Sequence, residues 1–302
     1  MDQLDTMRAF AAVADLGSFA EAARRLRLSP AAVTRAVAAL EDRLGLQLLA
    51  RTTRSVRLTE RGALYRETCR RILADLEDGE RRVRGEDAAP RGSLSVAAPL
   101  MFGRLHVLPV VMRLLRDHPE LSVRLTLSDR LVHFVEDGID IAVRIGEPAD
   151  SALRAVKVGE VRRVLAASPA YLRARGTPSV PADLAGHDIV AFEGVDTSRD
   201  WHFANAAAIR VAPRLSVNTA DAAIAAAEAG LGITRTLSYQ VQASLAAKRL
   251  RLVLEAFAPV AVPINLIHPA ARLGSANVAA FIAAARAHFR VNPVMAPNRA
   301  RS

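Results

Sequence analysis

The first 58 residues constrain this chain most, because their apolar positions and capping residues leave room for one arrangement of three helices and a hairpin. Leu4, Met7, Phe10, Ala11, Val13 and Ala14 follow a helical period that stops at Gly17. Ser18 then stands where an N-cap belongs, with Glu21 as its capping-box partner, and Phe19, Ala22, Ala23 and Leu26 form the buried stripe of a second short helix ending near Arg27. After a turn of about three residues, Ser29 caps a third helix and Pro30 fills its first position, where a missing N–H costs nothing. Val33, Val37, Leu40 and Leu44 give that helix one face to bury, while Thr34, Arg35, Ala38 and Asp42 lie off the stripe.

Two helices, a tight turn and a Ser-Pro-capped third helix are the organisation of a helix-turn-helix, whose last helix enters the DNA major groove by its N-terminal residues. Ser29, Pro30, Ala31, Ala32 and Thr34 are small enough for close approach to base edges, and Arg35 can reach a phosphate. Gly45 ends the helix. Leu46 to Leu49 and Arg51 to Leu58 read as a two-stranded wing with Arg51, Arg54 and Arg57 near its tip. A single arginine there would be a solvated charge; three beside a helix-turn-helix point to phosphate.

Thr59-Glu60-Arg61-Gly62 opens a long helix to about Arg84, with Leu64, Thr68, Ile72, Leu76 and Val83 near one stripe. Pairing with a second copy would bury that stripe. Residues 85–92 carry Gly and Pro without periodicity and mark a linker. Strands then alternate with helices: strands at Ser93–Ala98, Ser122–Leu127, Ile139–Arg144 and Ala152–Val158, helices at Phe102–Arg116 and Leu131–Glu136. A second set follows from Arg162 to about Pro263, with strands at Val164–Ala167, Ile189–Phe192 and Leu215–Val217 and a helix over Ala220–Ala229. Ile264–His268 is a last strand, and Ser275 caps a helix through Phe289. The alternation predicts mostly parallel sheets covered by helices.

Composition narrows the function. The net charge of +10 suits a polyanionic partner, but all basic residues except Lys157 and Lys248 are arginine in an alanine-rich chain, so charge alone adds little weight. Cys69 is the one cysteine and the seven histidines are scattered, so neither a disulfide, a metal site nor a cofactor is expected. No long apolar run or signal-peptide pattern occurs, which places the protein in the cytoplasm with no membrane partner. Gly230-Leu231-Gly232 follows a helix and lacks a third glycine, and Ser168 and Ser216 sit in no nucleophile motif, so an enzyme is not expected.

With these residues in view, the chain resembles the LysR-type transcriptional regulators. The resemblance rests on Phe19-Ala20-Glu21-Ala22-Ala23-Arg24-Arg25-Leu26, Leu28-Ser29-Pro30, Leu40-Glu41, Arg51-Thr52-Thr53-Arg54 and Leu58-Thr59-Glu60-Arg61-Gly62. It continues through His118-Pro119-Glu120, Asp137 to Gly146 and Ala229-Gly230-Leu231-Gly232-Ile233, covering essentially the whole chain up to Phe289. It implies an α+β multidomain protein of bacterial type: a winged helix-turn-helix over 1–58, a dimerising linker helix and hinge over 59–91, and an effector-binding α/β domain over 92–302 of periplasmic-binding-protein type. The first subdomain of that domain would take 92–161 plus 265–302, and the second 162–264. The implied partners are double-stranded DNA, a small-molecule effector and further copies of the chain as homodimer or homotetramer, with RNA polymerase a candidate. DNA contact is carried over to Ser29, Pro30, Ala31, Thr34 and Arg35 and to the wing residues Arg51, Thr52, Thr53 and Arg54. Many members place Gln-Pro where this chain has Pro30-Ala31, so base preference is open.

Ligands of two-subdomain folds sit where strand C-termini and helix N-termini face each other. By position these are Pro99, Leu100, Met101, Phe102, Ser128, Asp129, Arg144 and Gly146, faced by Phe192, Glu193, Trp201, Asn218 and Thr219. Core packing is an equally good reading of Met101, Phe102 and Phe192. Asn218 could simply cap a helix, and Arg144 could pair with Asp140 or Glu147. Carboxylate-sensing members often carry hydroxyls where this chain has Pro99, Leu100 and Met101, which argues against a simple carboxylate effector. Two competitors stay open: a solute-binding or enzymatic α/β protein with a helical arm, and a DNA-binding protein that needs no effector.

Overall fold

The computed structural model describes residues 2–51, 56–83, 89–130, 133–134, 136–147, 153–193, 199–272 and 274–290, except the side chains of Arg51, Asp75, Asp78, Arg81, Arg82 and Ala271. The chain divides into two units, Met1–Ser93 and Leu94–Ser302.

In the first unit, helix α1 (Gln3–Leu16) opens on a reciprocal capping box between Asp2 and Asp5 and closes on Gly17, whose φ of 63° is left-handed. Helix α2 (Phe19–Leu26) is capped by Ser18 Oγ, which accepts the Glu21 N–H at 3.3 Å; the Glu21 carboxylate itself lies 3.6 Å from Arg24. Helix α3 (Pro30–Leu44) starts on Ser29, whose hydroxyl accepts the Ala32 N–H. Val33, Val37 and Leu40 pack with Met7, Phe10, Val13 and Ala22 into one buried cluster, so the predicted stripe of α3 faces the core and its opposite face is left to solvent.

The wing is shifted from its expected position. Strands β1 (Leu49–Arg51) and β2 (Val56–Leu58) pair antiparallel, with Leu49 opposite Leu58. Leu46 to Leu48 form no strand, because Glu41 Oε1 takes the amides of Leu48 and Leu49 at 2.8 and 3.0 Å and bends the backbone there. Helix α4 (Glu60–Val83) begins with Thr59 Oγ1 accepting the Gly62 N–H at 2.9 Å. One of its faces packs on the unit: Cys69 is buried, Tyr65 lies 5.9 Å from the Phe10 ring, and Arg66 and Arg70 reach Asp15 at 2.9 and 2.7 Å. Leu64, Ile72 and Val83 are exposed.

The second unit holds two five-stranded sheets. Its elements in chain order are β3 (Gly92–Ala98), α5 (Leu100–Phe102), α6 (Leu108–Asp117), β4 (Leu121–Leu127), β5 (Ile141–Ile145), β6 (Leu153–Val161), β7 (Arg163–Ala167), α7 (Pro169–Arg175), β8 (Ile189–Phe192), β9 (Asp200–Phe203), β10 (Ala206–Arg210), β11 (Pro213–Val217), α8 (Ala220–Glu228), β12 (Ile233–Leu237), α9 (Gln242–Ala246), β13 (Arg251–Val253), β14 (Val262–Pro269) and α10 (Ala276–Arg290). A π-helical turn over Gly103–Val107 joins α5 to α6.

The sheets run β4-β3-β5-β14-β6 and β11-β8-β12-β7-β13. Both are mixed rather than mostly parallel. In the first, β3 is parallel to β5 while β14 is antiparallel to β5 and β6; in the second, β8 is parallel to β11 and β12 while β7 is antiparallel to β12 and β13. The chain crosses from the first sheet to the second at Val161–Arg163 and returns between Val253 and Val262, so each sheet receives strands that enter from the other. Strand β14 begins at Val262, two residues before its expected start, and Val262 already pairs with Val161 of the first sheet.

The helix expected over 131–136 is not formed by the residues described there. His133, Phe134 and Glu136 make a turn in which the Asp137 carboxylate accepts the His133 amide, and Gly138 at φ 63° ends it before a second turn. The remaining helices hold the sheets together. Phe102, Val107, Val110, Val111 and Leu114 pack with Phe281 and Phe289 over the first sheet, and α8 covers the second through Ala220, Ala223, Ile224 and Ala227.

Candidate functional site

The first candidate surface is the N-terminal end of α3. Ser29, Pro30, Ala31, Thr34 and Arg35 are all exposed on it, set on the buried Val33, Ala36 and Val37. Thr34 Oγ1 donates to the Pro30 carbonyl at 2.9 Å, so its hydroxyl proton is spent within the helix and its methyl and lone pairs face outward. Arg35 is an exposed cation beside these small residues. Arg51 ends β1, but its side chain and all of Thr52, Thr53 and Arg54 lie outside the described residues. Arg57 is exposed on β2.

The second is a cavity of about 230 Å³ in the other unit. One wall comes from the C-terminal ends of β3 and β5 and from the turn after β4, with Ala98, Pro99, Ser128, Asp129, Arg130, Arg144 and Ile145 among its residues; Leu237, Tyr239 and Gln240, at the end of β12, supply the other. Four of the expected ligand residues meet here: Pro99, Ser128, Asp129 and Arg144. Leu100 contributes its amide, which donates to Asp129 Oδ1 at 3.0 Å.

The other expected residues serve packing or turns. Phe102 is fully buried, edge-on to Tyr239 at 5.2 Å and 5.7 Å from Phe289, and Phe192 packs with Val190, Ala220, Ala223 and Met101. Trp201 is buried beneath the Arg235 guanidinium, 4.6 Å from its ring centre. Glu193 pairs its amide with the Val217 carbonyl, and Gly146 takes a φ of 123° with its carbonyl accepting from Asn265 Nδ2. Thr219, not Asn218, caps α8, accepting the Ala222 amide.

Arg144 is half-buried, and burial lowers its pKa, which means its charge has lost hydration without full repayment. Asp140 is not its partner: that carboxylate accepts the Ser95 amide at 2.8 Å and pairs with Arg272 at 3.0 Å. On the same wall, burial raises the Asp129 carboxyl, against the lowering effect of the Leu100 amide. The Tyr239 phenol is pushed up by burial and accepts a hydrogen bond from Gln240 Nε2, so it stays protonated with its own proton to offer. Arg104, in the π turn, lies 3.7 Å from Asp221 on α8, an ion pair between the two halves beside the cavity.

Sequence reasoning missed Tyr239 and Gln240, which follow β12 in a single 3-10 turn. No periodicity marks such a turn as a wall; only the crossing of the chain brings it opposite β3 and β5. Among the described residues there is no group of side chains fit to hold a metal, and no helix is long and apolar enough to cross a membrane.

Comparison with known proteins bears on both surfaces. Residues 4–63 match the family of bacterial regulatory helix-turn-helix proteins of the lysR type, and residues 87–290 match the LysR substrate binding domain. The HTH-type transcriptional regulator PtxR of Pseudomonas aeruginosa is 34% identical over 295 residues, 96% of this chain and 94% of that protein. Among solved structures, CrgA of Neisseria meningitidis, a LysR-type transcriptional regulator, is 28% identical with a TM-score of 0.57, covering 94% of this chain and 99% of that one. Full-length AphB, a virulence activator of Vibrio cholerae, shares the fold at 24% identity and a TM-score of 0.60, covering 95% of this chain and all of that one.

Proposed function

The chain belongs to the LysR family of bacterial transcriptional regulators, and from that premise we propose that it reads an inverted-repeat operator as a dimer or tetramer and answers a small molecule held in the cavity of its second unit. It is a DNA-binding regulator rather than an enzyme, as its relatives are named. The observation that carries the reading is the pairing, in one chain, of an exposed small-residue helix end on a rigid core with a separate polar cavity between two sheets.

In this reading Ser29, Pro30, Ala31 and Thr34 approach base edges, and Arg35 with the wing residues Arg51, Thr52, Thr53 and Arg54 holds the phosphates. Residues 1–58 read DNA, 59–91 dimerise through the exposed Leu64, Ile72 and Val83 of α4, and 92–302 sense the effector. Two copies place two recognition helices about one DNA turn apart, roughly 34 Å. Effector binding between the halves that Tyr239 and Arg144 face would change the angle between the DNA-binding heads. The setting is the cytoplasm, with RNA polymerase the further partner at a promoter.

The test is selection from random duplexes at near-physiological salt, where non-specific attraction is suppressed. A dyad-symmetric motif is expected; failure to enrich any motif refutes the reading. On the selected site, Arg35→Ala is expected to weaken binding evenly across sequences and to reduce the salt slope by about 1. An unchanged slope would remove Arg35 from the phosphate contacts.

A further inference from the structure

Helix α4 has two faces with different neighbours. Tyr65, Arg66, Cys69, Arg70 and Leu73 turn toward the three-helix head, whereas Leu64 and Ile72 stay in solvent. In the dimer proposed above the exposed face meets the second copy. The angle between α4 and its own head then decides where each recognition helix lies.

Apolar contact alone does not select that angle. The burial of Cys69 and the packing of Tyr65 and Leu73 against the head are non-directional, so they hold the helix down without preferring one roll about its axis. Two other bonds are directional. A single oxygen, Asp15 Oδ1 in the last turn of α1, accepts from Arg66 Nε at 2.9 Å and from Arg70 Nη2 at 2.7 Å. The two arginines stand one turn apart on α4, so they bracket the carboxylate and fix both the roll of the helix and its position along its axis. Arg70 also lies 3.8 Å from Glu67 through its other terminal nitrogen, a contact within α4 that aims the guanidinium at the head. Arg43, near the end of α3, comes beside the Tyr65 phenol, so the recognition helix itself borders the junction.

Asp15 contributes little to its own helix. An acid in the last turn opposes the helix dipole, and α1 carries no basic residue there. What the carboxylate gains comes from α4.

We propose that Asp15 is a positioning residue for operator recognition: by pinning Arg66 and Arg70 it fixes the angle between the DNA-reading head and the dimerising helix, and with it the half-site spacing that the dimer accepts. The proposal rests on the dimeric regulator reading above and names the residue that sets its geometry. One added base pair moves the second half-site by about 3.4 Å and turns it by about 35° around the DNA axis, which a pinned head cannot follow.

The experiment is selection by the full-length protein from a library that holds the recovered half-site constant and varies the spacer between its two copies. The parent is expected to enrich one spacing and to lose at least about tenfold in affinity when the spacer changes by one base pair. Asp15→Ala, and separately the double variant Arg66→Gln with Arg70→Gln, should read the same half-site but lose about threefold or less on that change. Asp15→Glu keeps the carboxylate and should keep a single preferred spacing. Leu73→Ala is the structural control: it loosens the apolar contact, lowers the melting midpoint of the first unit and should leave the spacing preference as it is in the parent.

Discrimination undiminished in both Asp15→Ala and the arginine variant would overturn the proposal; should Asp15→Ala fail to fold, the arginine variant alone decides. Equal loosening by Leu73→Ala would overturn it too, by making packing the determinant, and so would an altered half-site sequence in Asp15→Ala or a parent that accepts many spacings. A parent that selects no dyad motif removes the regulator reading and the positioning role together, whereas a dyad motif whose spacing the variants respect as strictly as the parent removes only the positioning role.

Discussion

Gly62→Ala is a substitution for which local propensity and tertiary packing predict opposite signs. Gly62 lies in the first turn of α4, and helix propensity alone makes alanine there more stable by about 0.5–1 kcal/mol. A Cβ on Gly62, however, would sit 1.9 Å from the Leu48 carbonyl oxygen and 2.8 Å from its carbon. That carbonyl cannot step aside freely, because it already accepts the Thr59 amide at 3.0 Å and the Thr59 hydroxyl at 3.2 Å, and Glu41 pins the Leu48 amide. Relief needs a backbone shift of more than an ångström at the junction of wing and helix. Overpacking of this kind costs about 1–3 kcal/mol, and backbone against backbone belongs at the upper end.

Net of propensity, the variant should lose about 1–2 kcal/mol, which for a unit of this size lowers its melting midpoint by roughly 4–16 °C. Scanning calorimetry of the full-length protein reads this transition, and the sole tryptophan, Trp201, gives an internal reference from the second unit. Operator affinity should fall with it, since α4 and the wing move together. A midpoint equal to or above that of the parent would refute the close-approach argument.

Asp15 ties α1 to α4 through two short charge-assisted bonds from Arg66 and Arg70, both partly shielded. Asp15→Ala should therefore cost about 1–2 kcal/mol in the first unit, seen as a lower calorimetric midpoint at low salt and a smaller difference in 1 M salt. In the second unit, burial against Phe102 and Tyr239 pushes His106 down to about 4, with His288 adding to the effect. The folded state thus resists the proton that the unfolded chain accepts near pH 6.5; stability is complete above 6.5, is lost as pH falls from 6.5 to 4, and levels below. The loss is at most about 3 kcal/mol, reduced because the ring keeps partial contact with solvent. Trp201 fluorescence during urea unfolding across that range should show it, and His106→Gln should flatten the profile; an unchanged slope in the variant would assign it elsewhere.

Much of the first unit was legible because its signals are local. Ser18, Ser29 and Thr59 cap helices with their own hydroxyls, Gly17 and Gly45 close them in the left-handed region, and the four-three-four spacing of Val33 to Leu44 states which face is buried. The exposed end of α3 follows directly. The wing register did not, since Glu41 acts on Leu48 and Leu49 from across a turn, and propensity sees no such bond.

In the second unit eight of the twelve strands and the main helices could be read from alternation and capping, whereas β9, β10, β12 and β13 were not, and sheet membership could not be read at all, since it depends on where the chain crosses. β14 pairs with β5 and β6, more than a hundred residues earlier, and makes the first sheet mixed, as β7 between β12 and β13 makes the second. Position along the chain grouped Pro99, Ser128, Asp129 and Arg144, which line one cavity, because ends of neighbouring strands fall together in any such fold. It could not say that Phe102, Phe192 and Trp201 turn into cores, nor that Tyr239 and Gln240 close the cavity. Caps, turns and amphipathic faces are settled within a few residues of chain. Which charges are left without partners is a property of the folded whole, because it depends on what every distant segment brings near them.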